Sequence, residues 1–306
     1  MNLMKLLAAA VSIVMPLSFA HAQQLPDGSA DNPIRVIMVP AEIGSRDTLS
    51  DYRPVFNAIT KEYGIHFDLK LGDSYAAAVQ GLCNDQADIG WYGAVTYGQA
   101  RELCGAELLA VDVKKGNSVY YSGIYASKDS GLETLADLKE QSLAVGDPNS
   151  TSSFNFPFAM VIDAGIDPAK DLGKIVIAGS HTNSIAALKE GRVTAAAASF
   201  NAWEKAVKKG IIDPTKFKVL AKSEGIPNPP LAMNAKLDPE VKKNIRIAFS
   251  EIHTKVDPQF IRGYGGKTVD RYDTDYPLEK MLGALDKLSA LTKRVKGEII
   301  EKAGER

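Results

Sequence analysis

From residue 34 onward, short apolar runs take turns with longer segments in which apolar residues recur every three or four positions. The first pattern fits a buried strand and the second an amphipathic helix. Ile34–Val39 predicts a strand, Pro54–Tyr63 part of a helix, His66–Leu71 a strand of period two and Tyr75–Cys83 a helix. Ala87–Trp91 follows as a strand, Val95–Leu103 as a helix and Glu107–Val113 as an extended segment. Strands separated by helices of roughly 10 to 15 residues imply parallel β-α-β units, so the predicted class is α/β.

Ser118–Ala126 is a longer extended stretch, after which the alternation restarts. Leu135–Lys139, Ser152–Ala164, Asn183–Lys189 and Trp203–Lys208 predict helices, and Ser142–Val145, Lys174–Ala178 and Val193–Ala198 predict strands. A second extended stretch, Phe217–Met233, holds Ile226-Pro227-Asn228-Pro229-Pro230, whose prolines forbid helix and stiffen the connector. Two extended crossings thus bracket an inserted α/β unit. The layout predicts two lobes with a cleft between them, the first from residues 23–125 and 218–306, the second from residues 126–217. Pro239–Thr254 and Leu278–Lys296 predict C-terminal helices belonging to the first lobe. The stripe Leu278, Met281, Leu282, Leu285, Leu288 and Leu291 suits a core seam, with a homodimer contact as the alternative.

Charge and cysteine content narrow the setting. The 306 residues carry 36 Lys+Arg against 37 Asp+Glu, a balance that excludes a polybasic nucleic-acid binder and predicts no nucleic-acid partner. Residues 1–22 place Lys5 before an apolar run, Leu6–Phe19, and end in Ala20-His21-Ala22, the pattern of a cleaved signal peptide. The run is too short for a membrane anchor, so the mature chain is expected in the periplasm. Cys83 and Cys104 then read as a structural disulfide in an oxidising compartment. Two buried thiols, or one thiol ligating a soft metal, are the alternatives; no His stands at zinc spacing.

Candidate chemistry gathers at strand-to-helix turns. Gly146-Asp147-Pro148-Asn149-Ser150-Thr151-Ser152-Ser153 sits at one of them, where unpaired N–H groups and a partial positive charge suit an oxyanion. A helix cap needs one hydroxyl, and here are four in a row. Ala178-Gly179-Ser180-His181-Thr182-Asn183 forms a second such turn, predicted to open on the same sheet edge, where His181 can donate to an oxyanion. Tyr75 begins a helix at a third turn, and Tyr120 and Tyr121 lie in the first crossing, one facing inward. Gly265-Gly266-Lys267-Thr268 fails as a phosphate loop because Ile261 stands where its leading glycine belongs. Ser150 with His181 lacks the nucleophile elbow of a hydrolase. No spacing calls for a metal or a cofactor, and an enzyme is not expected.

Three motifs carry a resemblance: Ala87-Asp88-Ile89-Gly90-Trp91-Tyr92-Gly93, Gly146 to Ser152, and Ala178 to Asn183. On them the chain resembles the phosphonate- and phosphite-binding receptors of ABC importers, the PhnD type. The resemblance implies the type II, two-lobe periplasmic-binding-protein fold with a double hinge, and a membrane permease as partner. It implies that Ser150, Thr151 and Ser152 hold a small phosphorus oxyanion through hydroxyls and helix N–H groups, joined by His181, Tyr75 and Tyr120. Members that bind aminoethylphosphonate hold its amine with a Glu and an Asp; Asn201 and Pro229 stand at those positions here, with Glu224 nearby. Asn201 stays among the expected ligand-binding residues. An ammonium without a carboxylate partner binds poorly, so phosphite, methylphosphonate or another compact phosphorus oxyanion is expected. Ser153, in place of the usual Gly, is expected to narrow the pocket. Two rival readings are an arsenite-like oxyanion sensor that signals to a membrane kinase through a cleft cysteine, and a secreted Ser150/His181 hydrolase.

Overall fold

The computed structural model describes residues 25–44 and 48–305, and the predicted signal peptide lies outside them. The chain begins with β1 (Ile34–Met38), α1 (Thr48–Tyr63), β2 (Phe67–Leu71), α2 (Tyr75–Cys83), β3 (Ile89–Trp91), α3 (Ala94–Cys104) and β4 (Glu107–Val113). Next come β5 (Val119–Tyr120), β6 (Ser122–Ser127), β7 (Ser142–Val145), α4 (Phe156–Asp163), α5 (Pro168–Asp171), β8 (Lys174–Ile177), α6 (His181–Lys189), β9 (Ala195–Ser199) and α7 (Phe200–Lys208). It ends with β10 (Phe217–Lys222), β11 (Ile226–Pro227), β12 (Leu231–Met233), α8 (Pro239–Glu251), β13 (Arg271–Asp273), α9 (Leu278–Gly283) and α10 (Lys293–Gly304).

These strands form two main sheets, ordered β13-β4-β12-β3-β1-β2 and β10-β6-β9-β7-β8. In the first, β1 runs parallel to β2 and β3, and β12 returns antiparallel between β3 and β4. In the second, β7 runs parallel to β8 and β9, and β6 lies antiparallel beside β9. From the crossings the first lobe takes β12 and the second takes β6 and β10. Between the sheets, β5 and β11 pair as a short antiparallel ribbon with Tyr120 opposite Ile226.

The first lobe buries Trp91, Phe56, Phe249, Ile34 and Met38 almost completely. The second sheet is covered on both faces, by Phe154, Phe158 and Val161 on one and by Ile185, Leu188 and Trp203 on the other. Its central strand, β9, reads Ala195-Ala196-Ala197-Ala198-Ser199 and is buried throughout. Alanine is a poor strand former, but small side chains let helices sit close on both faces of a buried strand.

Two expectations about the lobes change. The second lobe begins before residue 126 and extends past 217, because β6 and β10 hydrogen-bond into its sheet. The single helix expected over Leu278–Lys296 is broken into α9, a tight turn at Asp286–Leu288, and α10, which Thr292 caps by accepting the Val295 N–H at 3.3 Å. Leu278, Met281, Leu282, Leu285 and Leu288 pack on the first lobe's core, whereas Leu291 and Ile299 enter the core of the second. Residues 218–306 thus do not all belong to the first lobe, and the chain crosses between lobes a third time. The leucine stripe is spent inside the chain, which removes it as a homodimer seam. Counting leucines at helical spacing does not register breaks at Gly283 and Thr292.

Ile299 is fully buried on the second lobe. Ile299→Ala is expected to cost about 2–4 kcal/mol in a urea unfolding experiment; a change below about 0.5 kcal/mol, the size of a surface effect, would contradict this placement of α10.

Candidate functional site

Parallel sheets present the carboxyl ends of their strands, and the helix that follows each strand, to a common edge. Here the two edges face each other. Tyr75 follows β2, Gly93 follows β3, Ser150–Ser152 follow β7 and His181 follows β8; all of them line one cavity between the lobes. Each stands in or beside the first turn of a helix: α2, α3, the turn that opens α4, and α6. The cavity has about 10 Å³ of room for the centre of a water-sized guest, about what a single water needs.

The hydroxyl-rich turn has a definite local cause. Pro157 has no N–H to return to the Ser153 carbonyl, which instead accepts the Gly146 N–H at 2.9 Å. The chain opens into one turn of π-helix, Thr151–Asn155, with Asn155 N–H donating to the Ser150 carbonyl at 3.1 Å. Single π-turns recur at functional sites. Ser153 does not narrow the cavity, contrary to expectation. It is fully buried against Gly146, where a Cβ would lie 2.0 Å from its Oγ, and it donates to Ser150 Oγ at 2.7 Å. Ser150 Oγ also accepts the Ser153 N–H at 3.2 Å, so its lone pairs are engaged and its own proton is free to point elsewhere.

The remaining candidates meet this turn from both lobes. The Tyr75 side chain stands beside Ser150 and that of Tyr120 beside Ser152; burial pushes both phenols above their usual range. His181 Nδ1 accepts the Ser199 N–H at 3.0 Å, so in the neutral ring the proton sits on Nε2. Burial lowers the His181 pKa to about 3, and the ring is a neutral donor at physiological pH. Among the described residues, no Lys, Arg, Asp or Glu lines the cavity. The positive potential there comes from four helix N-termini, each equivalent to roughly half an elementary charge.

Asn201 is not part of this wall. Its amide donates to the Tyr264 carbonyl at 3.4 Å and accepts from Lys267 Nζ at 2.9 Å, outside the cavity. Pro229 does line it, and Glu224 lies outside, largely exposed and paired with Lys287. Tyr264 lines the cavity and sequence reasoning passed over it. Its one signal was the run Gly263-Tyr264-Gly265-Gly266, where φ values of 73° and 66° at the last two positions require glycine.

The geometry disfavours both rival readings. Cys83 and Cys104 are joined as a disulfide at the far ends of α2 and α3, and no cysteine reaches the cavity. Ser150 Oγ is held by Ser153, and the Nδ1 of His181 faces a backbone amide where a triad needs a carboxylate.

Residues 37–276 match the family described as the phosphonate periplasmic substrate-binding proteins of ABC transporters. The chain belongs to this family. It is 25% identical over 263 residues to a phosphate-import protein of Mycolicibacterium smegmatis, covering 81% of each chain. It is 28% identical over 199 residues to the phosphonates-binding periplasmic protein of Escherichia coli, covering 63% of this chain and 59% of that protein. Among solved structures, a methylphosphonate complex of a Prochlorococcus marinus protein of this type superposes with a TM-score of 0.74 at 18% identity, covering 84% of this chain and 97% of that one. A binding component of a Pseudomonas aeruginosa ABC phosphonate transporter gives 0.69 at 21%, covering 91% and 99%. Both likenesses are to the two-lobe periplasmic-binding fold.

In this phosphonate-family binding protein the lobes are closed on each other. The His181 N–H donates to the Ala41 carbonyl at 3.0 Å, and Thr151 Oγ1 accepts the Val95 N–H at 3.0 Å. The Tyr75 N–H meets the Asp147 carboxylate. Gly93 permits the approach, since a Cβ there would lie 2.6 Å from Thr151 Oγ1. Beside the cavity, Lys205 of the second lobe reaches Glu42 at 2.5 Å and Asp51 at 2.7 Å, all three largely buried. Burial, then the Glu42 charge, pushes the Asp51 carboxyl up to about 7 against the pull of Lys205.

A carboxyl raised in the folded state holds its proton more tightly than in the unfolded chain. Its contribution to stability is full below about pH 4 and is lost as pH rises through 7. The stability difference between wild type and Asp51→Asn is expected to fall across pH 4.5–7.5, with a slope of at most about 1.4 kcal/mol per pH unit. Urea unfolding at several pH values measures it; a pH-independent difference contradicts the assignment.

Proposed function

We propose that the chain is the periplasmic solute receptor of an ABC importer and that it traps a compact phosphorus oxyanion, such as phosphite, methylphosphonate or phosphate, for delivery to a membrane permease. The observation that carries this reading is the convergence of four helix N-termini and a ring of hydroxyls on one small cavity that, among the described residues, no charged side chain lines. The names of its relatives agree on ligand class, one importing phosphate, one binding phosphonates and a third being a probable phosphite-binding protein.

Ligand binding is read as a population shift toward the closed state. Donors from the second lobe, Ser150, Thr151, Ser152 and His181 Nε2, take the oxyanion first, because they share one sheet edge. Tyr75 from the first lobe and Tyr120 from the crossing then complete the shell, and the ligand contributes contacts that only the closed arrangement makes. Hydrogen bonds to an ionised acceptor are roughly twice as strong as neutral ones, which lets neutral donors hold the charge in a dry site. The reaction class is binding alone; no bond is made or broken.

Among the described residues no carboxylate lines the cavity, which disfavours a ligand ammonium, whose burial without a partner costs several kcal/mol. In a titration followed through Trp91 fluorescence, at least one of phosphite, methylphosphonate and phosphate is expected to bind at micromolar concentration or tighter. Aminoethylphosphonate is expected at least ~100-fold weaker, about 2.7 kcal/mol. Tightest binding of aminoethylphosphonate or of sulfate would overturn the reading.

Thr151→Val leaves the Val95 N–H without its acceptor only when the lobes are closed, at a cost of about 1–3 kcal/mol, and removes a donor to the ligand. The variant is expected to lose at least ~10-fold in affinity while its ligand-free melting temperature changes little. Unchanged affinity would remove Thr151 from the site.

A further inference from the structure

Most of the cavity wall is built from strand ends and helix starts that are rooted in the two cores. Tyr264 packs on the first lobe's core too, but it comes from neither a strand end nor one of these helix starts. It rides on a loop of the first lobe between α8 and β13, and its side chain reaches across the cleft, 4% exposed. Its hydroxyl lies 2.7 Å from Ser199 Oγ and 3.5 Å from His181 Nε2, both in the second lobe. Its ring stands edge-on to Tyr120, with centroids 5.4 Å apart at 88°, and tilted against Trp91 at 5.6 Å.

The loop is fastened at both ends. On its own lobe the Tyr264 N–H donates to the buried Asp112 carboxylate at 3.2 Å, and Gly263 is needed there because a Cβ would lie 1.8 Å from Asp112 Oδ2. On the other lobe Asn201 holds the Tyr264 carbonyl, and Lys267 Nζ bridges Asn201 Oδ1 at 2.9 Å and Glu204 at 2.6 Å. Glu204 is more than half exposed, so the polar cluster on the Tyr264 carbonyl opens to water.

We propose that Tyr264 sets the size limit of the ligand: its ring, on a loop that both lobes clasp, is the wall that a substituent longer than methyl meets. This rests on the reading of the chain as a phosphorus-oxyanion receptor. The limit is one of shape, since the closed cavity is small on every side. The hydroxyl contributes separately, by fixing His181 and Ser199.

The test compares methylphosphonate with propylphosphonate by calorimetric titration of wild type, Tyr264→Phe and Tyr264→Ala. Wild type and Tyr264→Phe are expected to favour methylphosphonate by at least ~100-fold, and Tyr264→Ala to reduce that preference at least ~10-fold by binding propylphosphonate more tightly than wild type does. Should Tyr264→Ala not fold, Tyr264→Leu, shorter but still apolar, is expected to move the ratio in the same direction. A folded Tyr264→Ala or Tyr264→Leu that keeps the wild-type preference overturns the proposal, as does a wild type that takes both ligands equally. Wild type binding no phosphorus oxyanion at all sinks the function reading and this inference with it, a result distinguishable from the others because it appears before any variant is made.

Discussion

The site depends on positive potential without a formal cation. Four helices begin at the cavity, among the described residues no Lys or Arg lines it, and Ser150, Thr151, Ser152, Tyr75 and His181 bring their side chains to its wall. A lysine or arginine would attract anions of many shapes, and its charge would have to be desolvated each time the lobes closed. Amides and hydroxyls are directional, fixed by the backbone and cheap to dehydrate by comparison. They favour a guest whose oxygens match their positions. His181 fits this scheme because burial keeps its ring neutral while the Ser199 amide fixes the proton on Nε2.

The same constraint shapes the contacts that hold the lobes together. The Val95 N–H to Thr151, the Tyr75 N–H to Asp147 and the His181 N–H to Ala41 all use helix-start amides of one lobe and acceptors of the other. Each is an amide that water can satisfy when the cleft is open, so none of them weighs much on either state alone. The buried Glu42–Lys205–Asp51 cluster differs, since two carboxylates share one ammonium, and burial first, then the Glu42 charge, raises the Asp51 pKa. The third passage of the chain, from α9 to α10, adds a covalent link whose apolar residues divide between the two cores.

Some of this is legible from residues alone. Ser150–Ser152 and His181 stand out because they follow apolar strand patterns and open helical ones, and the parallel β-α-β rule then puts both turns on one edge. Tyr75 is found by the same logic. Asn201 is chosen by correspondence with relatives, and it fails to reach the cavity because Tyr264 and Lys267 occupy it. Ser153 looks like an intrusion into the pocket, yet the missing Cβ of Gly146 gives it a place behind Ser150. Tyr264 could not be picked out by spacing, since it lies more than 60 residues from Ser199, the partner of its hydroxyl.

Periodicity, proline placement and strand-to-helix turns determined the α/β class, the two crossings and the edge on which the hydroxyls gather, because these follow from backbone sterics within a few residues. Only the tertiary structure decided which lobe each end of a crossing joins, where the C-terminal leucines pack and which tyrosine closes the cavity. Those outcomes depend on contacts between segments far apart in the chain, and no local pattern encodes the partner.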